Sequence, residues 1–406
     1  LFKLDAYKVY LVLGGASSLI FAVVFTVNML YQVTMAELTP LQLVLVGTVL
    51  ELSVFLFEVP TGVVADVYSR RLSIIIGYFI IGAGFVLEGS IPSFLTIALG
   101  QALWGLGYTF TSGATEAWIS DEIGEEAAGR AFLRGGQAGN IGGLIGIGVS
   151  VVLGSIQVNI PIVAGGVLFT LLGVLLILVM PEDGFKPTPR DQRDTWESMS
   201  ETFRGGVRMV RLRPALLIIL GIGLFYGLYS EGYDRLWTKH LLETFTLPLL
   251  GDLEPVVWFG IINAMGMLLS LGGTEIARRK VDTASYLNVA RSLLVITSVL
   301  VVSLIGFAQT EYFVLALSLI WIIRIARSVI GPLYTAWLNQ GLDSQVRATV
   351  LSMSGQVDAI GQILGGPIIG LIGSNVSVRA ALTASGLILS PVLALYGRAI
   401  QRGEPA

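Results

Sequence analysis

The chain has 406 residues, 54% hydrophobic and only 13% charged, with no cysteine, one histidine and a formal net charge of −3. Soluble globular domains carry about 25% charged residues, so a bilayer is the better solvent here, and so small a net charge gives no reason to expect nucleic acid as a partner. Without cysteine there are no disulfides and no thiolate catalysis, and the lone His240 offers no histidine-rich metal site.

A helix of about 20 mostly apolar residues crosses the hydrocarbon core. Runs of that kind predict spans near 8–31, 41–65, 72–91, 93–119, 131–154 and 159–180. A second set of six is predicted near 214–240, 255–277, 283–307, 311–338, 348–373 and 377–397. The run at 8–31 exceeds the roughly 7–15 apolar residues of a signal peptide and reads as the first span. The chain opens at Leu1 rather than Met, so a few residues are expected to precede it. Between the two sets lies 182–213, with seven basic and six acidic residues. Its second half, 195–213, reads either as an amphipathic helix along the membrane surface or as a solvated linker. The expected architecture is all-α: a six-helix bundle over 1–181, the linker, and a second bundle over 214–406.

Basic residues favour cytoplasmic loops. With the N-terminus inside, 19 of the 25 Lys and Arg residues fall on inner segments, and the outer connections hold none. Both termini are therefore expected in the cytoplasm. An internal repeat agrees with the count. Ala117-Trp118 recurs as Ala336-Trp337 at an offset of 219, which also carries Gln137, Gly142 and Gly146 onto Gln356, Gly361 and Gly365. The offset superimposes spans 4 and 5 on spans 10 and 11, as parallel halves related by an axis along the membrane normal would require.

Ionisable residues within spans carry the functional signal, because each costs about 2.5–3.5 kcal/mol facing lipid. Glu51 lies mid-span in span 2, Arg324 and Arg327 in span 10, and Asp358 in span 11. Glu231, Asp234 and Arg235 lie in the outer half of span 7, Glu58 and Glu116 in the inner parts of spans 2 and 4, and Glu88 at the outer end of span 3. Glu51 and Glu58 share a face of one helix, two turns apart, and with Glu116 are the proton-coupling candidates. The alternative for Glu51 is a permanently protonated side chain hydrogen-bonded to Asn28 or Gln32. Arg324 and Arg327, three apart, are placed to clamp Asp358 or an anionic substrate group. Glu231, Asp234 and Arg235 either satisfy one another at i,i+3 and i,i+4 or touch substrate. With Asn28, Gln32 and Gln101 these are the substrate-cavity candidates.

The stretch Gly62-Val-Val-Ala-Asp66-Val-Tyr-Ser-Arg70-Arg71, between spans 2 and 3, resembles the signature loop of the major facilitator superfamily. Gly62, Asp66, Arg70 and Arg71 match that pattern, while Val67 and Ser69 replace a basic residue and a glycine. The resemblance implies two pseudo-symmetric six-helix bundles and an inner gate at this loop, with Asp121 as its partner. Gln101-Ala-Leu-Trp104-Gly105-Leu-Gly107 is similar to the proton-antiporter pattern of that superfamily, with glutamine in place of its arginine. The glycine-rich fifth span lacks the antiporter proline. The implied function is secondary active transport of a small molecule by a monomer in a bacterial plasma (inner) membrane. Proton-coupled efflux of amphiphilic or drug-like compounds is the leading expectation, and a proton-coupled symporter of a small anionic metabolite the alternative. A receptor or intramembrane enzyme would be the reading of another class. No cofactor is expected; the expected partners are the substrate, protons and lipid.

Overall fold

The computed structural model describes residues 4–187, 214–248, 255–340 and 344–403, and no strand occurs among them. The helices of the first set are α1 (Ala6–Phe25), α2 (Asn28–Thr34), α3 (Pro40–Val67), α4 (Arg70–Ser90), α5 (Phe94–Thr111), α6 (Ala114–Ile123), α7 (Glu125–Gly154) and α8 (Ile160–Val179). The second set comprises α9 (Pro214–Thr244), α10 (Val256–Lys280), α11 (Tyr286–Gln309), α12 (Phe313–Asn339), α13 (Ser344–Asn375), α14 (Val378–Leu389) and α15 (Pro391–Arg402). Eleven helical stretches among the described residues are long and apolar enough to cross a membrane. The expected fourth span is the twelfth, broken between α5 and α6 where Gly113 takes φ +70°. The 195–213 segment lies outside the described residues.

Two other spans are also interrupted. Span 1 is interrupted at Thr26–Val27, where the Val27 N–H turns to Val24 O at 3.3 Å and Val23 O accepts instead from the Ser150 hydroxyl at 2.6 Å. The last span breaks at Ser390, before Pro391, which lacks an N–H to continue it. Ser69 and Ser93 start α4 and α5 by accepting the backbone N–H of Leu72 and Thr96 at 2.9 and 3.3 Å.

The chain divides into two compact units, Leu1–Leu38, Val49–Asp194 and Leu249–Asn263 against Thr39–Thr48, Thr195–Pro248 and Ala264–Ala406. Within each, glycine lets one helix pair come into backbone contact. In the first, α1 packs along α7, and a Cβ on Gly142 or Gly146 would collide with the carbonyl of Gly15 or Leu19. In the second, α9 packs along α13, and a Cβ on Gly361 or Gly365 would collide with the carbonyl of Leu224 or Leu228. The glycines matched by the 219-residue offset therefore do the same packing job in both units. Without a hydrophobic drive between helices in lipid, such close approach is what holds them together. Trp118 and Trp337, the repeated tryptophans, are both fully buried.

Candidate functional site

In the second unit α9, α12 and α13 bring six of the expected cavity residues to one region. The Arg327 guanidinium holds Asp234 in a two-armed ion pair, with Nη2 donating to Oδ2 at 2.8 Å. Its plane also lies 5.9 and 5.8 Å from the ring centroids of Tyr229 and Tyr233, close enough for cation–π attraction. One turn earlier on α12, Arg324 sits 5.5 Å over the Trp237 ring, and no ion pair holds it among the described residues. Glu231 and Arg235 pair with each other at 3.2 Å, both nearly buried.

Two of these contacts differ from expectation. Asp358 does not meet Arg324 or Arg327; it accepts from Gln362 Nε2 at 2.7 Å, one turn along its own helix. Arg327 has taken Asp234 instead, because spacing along one helix says nothing of which carboxylate on another helix comes closest. The Glu231–Asp234–Arg235 cluster is accordingly not self-contained, since Asp234 leaves it for Arg327.

Asp234 and Arg327 line two cavities. One, of about 380 Å³, is walled by Tyr226, Tyr229, Tyr334 and Asp358. The other, of about 350 Å³, is walled by Tyr233, Trp237, Met267, Ser270 and Arg324. Each combines aromatic faces with a few fixed polar groups, the usual make-up of a small-molecule site.

In the first unit the buried polar centre is Glu88, which side-chain position along span 3 had marked only as an outer-end charge. It is fully buried. Its Oε1 accepts from Asn28 Nδ2 at 2.8 Å and Gln32 Nε2 at 2.9 Å, and its Oε2 from Gln101 Nε2 at 2.8 Å. Tyr31 donates its hydroxyl to the Glu88 carbonyl at 2.7 Å. Asn28 and Gln32 thus donate to Glu88. Glu51 is half-buried, while Glu58 and Glu116 are exposed on the surface of the unit. The three amides, with no basic residue between Lys8 and Arg70 or between Arg71 and Arg130, were the sequence signal for a carboxylate among them.

The expected gate residues Arg70 and Asp121 form a charge-assisted hydrogen bond, and Asp66 stands 3.6 Å from Arg70. Arg71 donates its backbone N–H to Glu182 at 2.8 Å and its guanidinium to Ile177 O at 2.6 Å. Gly62 has open space where a side chain would be. Glu182, which also accepts from Ser69 Oγ at 2.7 Å, was not anticipated. In the second unit Glu275 is bonded locally by Arg278 and Arg279.

A sequence model of the Major Facilitator Superfamily matches residues 12–366. The chain is 25% identical over 359 residues to the uncharacterised MFS-type transporter YxaM of Bacillus subtilis (strain 168), covering 88% of this chain and 86% of that protein. Its fold is similar to that of a mutant of the nucleoside transporter NupG, with a TM-score of 0.78 at 14% identity over 98% of this chain and 99% of the other. A bacterial homologue of the human lysosomal transporter Spinster gives 0.74 at 15% identity over 99% and 100% of the two chains. A POT family transporter in complex with 5-aminolevulinic acid gives 0.74 at 11% identity over 98% and 96%. The chain is a multi-pass membrane protein and belongs to the Major Facilitator Superfamily of transporters.

Proposed function

We propose that this transporter moves a small amphiphilic organic anion across a bacterial plasma membrane, coupled to protons and acting as a monomer with both termini in the cytoplasm. The observation that carries the substrate class is Arg324. It faces a cavity of about 350 Å³ beside Trp237 and Tyr233 while its neighbour Arg327 is already engaged by Asp234. An arginine with an aromatic face and, among the described residues, no ion-paired carboxylate offers its donors to a carboxylate or phosphate that enters. The tyrosine and tryptophan rings supply the apolar contact that an amphiphile needs. This favours the anionic-metabolite alternative over a purely apolar, drug-like substrate, and leaves the proposed site in the second unit.

Reconstitution tests it. Proteoliposomes holding the purified protein would be given pH gradients of either polarity and a matched panel of anionic, neutral and cationic aromatic compounds. The expected result is gradient-driven movement of anionic members above the others. Preferential movement of cationic compounds would instead support export of drug-like amphiphiles, and no response to either pH polarity would remove proton coupling.

A further inference from the structure

Arg130 and Arg134 stand one turn apart on α7 and line a cleft of about 610 Å³ with Tyr7 of α1, Ile123 of α6, and Leu133 and Gln137 of α7. The cleft lies where Gly124, at φ +83°, turns the chain from α6 into α7. Arg134 Nη1 donates to Gln137 Oε1 at 3.1 Å, which steadies the guanidinium and leaves its other N–H groups to the cleft. Among the described residues neither arginine is ion-paired. Three carboxylates of this end are engaged elsewhere: Asp121 with Arg70, Glu122 with the Gly184 N–H at 2.6 Å, and Glu182 with Ser69 and Arg71. Glu126 is exposed one turn before Arg130, farther from the apolar part of the helix.

The depth of the two arginines follows from the sequence of α7. From Gly135 to Gly154 the helix carries no charged residue. That stretch spans about 30 Å at 1.5 Å per residue, the thickness of the hydrocarbon core. Arg134 and Arg130 therefore sit just outside the core, at the level of lipid headgroups. Farther along α7 the same face is apolar and open. At about 100° per residue, Ile141, Ile145 and Val152 fall on the arc of about 120° that holds Leu133 and both arginines. Leu133 is 74% exposed, Ile141 62% and Val152 68%. Gly135, Gly142 and Gly146 lie on the opposite arc, against Tyr10, Gly15 and Leu19 of α1.

We propose that this cleft binds one anionic phospholipid, its phosphodiester held by Arg130 and Arg134 and an acyl chain laid along Leu133, Ile141 and Ile145. Charge, depth and the apolar stripe together select that occupant. Guanidinium forks match phosphate oxygens, and basic pockets between spans on the cytoplasmic side take acidic headgroups. A soluble phosphate ester would meet the arginines but leave the stripe beyond them uncovered. Tyr7 supplies a hydroxyl at the same level for the headgroup. The site belongs wholly to the first unit and does not depend on the substrate proposed for Arg324.

The test titrates the purified full-length protein in neutral detergent with phosphatidylglycerol, phosphatidylcholine or glycerol 3-phosphate, and counts bound molecules by native mass spectrometry. Wild type should retain one phosphatidylglycerol in preference to phosphatidylcholine. That preference should fall by about tenfold in the double variant Arg130→Gln with Arg134→Gln, as when a hydrogen bond to a charged group is lost. It should persist in Lys280→Gln with Arg402→Gln, which removes equal charge at two other exposed positions. A second measurement keeps the proposal testable if the arginine variants fail to fold. A fluorophore on Leu133→Cys, in a chain with no other cysteine, should be quenched more by phosphatidylglycerol brominated on its acyl chains than by brominated phosphatidylcholine. One on Leu171→Cys of α8, 57% exposed, should show no such preference. Equal retention of the two lipids, an unchanged preference in the arginine variant, or equal quenching at Leu133 overturns the proposal. Binding of glycerol 3-phosphate as tight as that of phosphatidylglycerol also overturns it, and makes the cleft a site for soluble phosphate esters.

Discussion

Arg327 on α12 and Asp234 on α9 are joined by two parallel hydrogen bonds, and the same guanidinium rests against Tyr229 and Tyr233. The pair is about one-third exposed on the arginine side, toward the cavities it lines. Its fork geometry fixes the orientation of α12 relative to α9 and leaves Arg324, one turn away on α12, facing the second cavity.

Removing one partner strands the other in a poorly solvated place. Asp234→Asn should destabilise the protein by about 2 kcal/mol, as for a hydrogen bond to a charged group. Arg327→Lys should restore little, because a single ammonium cannot grip both oxygens. Thermal unfolding in detergent checks both, and the double variant D234N with Arg327→Gln should recover part of the loss. Strictly additive losses would contradict the pairing.

The glycines at the two helix contacts should be matched in effect. Gly142→Val and Gly361→Val each push a side chain into a backbone carbonyl of the partner helix, and should cost about 1–3 kcal/mol. Gly62→Ala, where the space is open, should change stability little. Denaturation midpoints of the three variants make the comparison.

How much of this was legible beforehand follows from what each kind of signal encodes. Span number, the repeat and the contact between Arg70 and Asp121 rest on local hydropathy, on spacing and on a loop pattern, and all three are seen in the structure. The breaks at Thr26–Val27, Gly113 and Ser390 were not read, because a broken span is as apolar as an intact one. Partner choice was read poorly. Asp358 and Arg327 share neighbouring helices, yet Arg327 goes to Asp234 and Asp358 to Gln362. The repeat does not extend to Glu88. Its counterpart at the 219-residue offset is Phe307, whose carbonyl accepts from His240 at 3.2 Å much as the Glu88 carbonyl accepts from Tyr31. The backbone contact recurs while the carboxylate does not.

At the gate, Arg70 and Asp121 should behave as one unit. Arg70→Asp and Asp121→Arg should each depress exchange of substrate in proteoliposomes by about tenfold, as loss of a functional contact does. The reversed pair should regain most of it. Failure of the swap alongside normal folding would reduce Arg70 to a topology signal.

The proposed orientation is open to direct labelling because the chain has no cysteine of its own. Cysteines introduced at Thr39 and Ser374, both exposed, should react with an impermeant thiol reagent added outside intact cells. Cysteines at Ser69 and Thr283 should react only after the membrane is opened. External labelling at Ser69 would invert the topology.

The central claim, an organic anion held by Arg324 and moved with protons, is tested most directly by one comparison. Uptake driven by an imposed pH gradient would be measured for an aromatic carboxylate and its neutral amide, in wild type and in Arg324→Gln. The account predicts that wild type prefers the carboxylate and that R324Q raises its KM by about tenfold or more, erasing the preference while leaving the amide unchanged. Equal preference for the carboxylate in both proteins would contradict it.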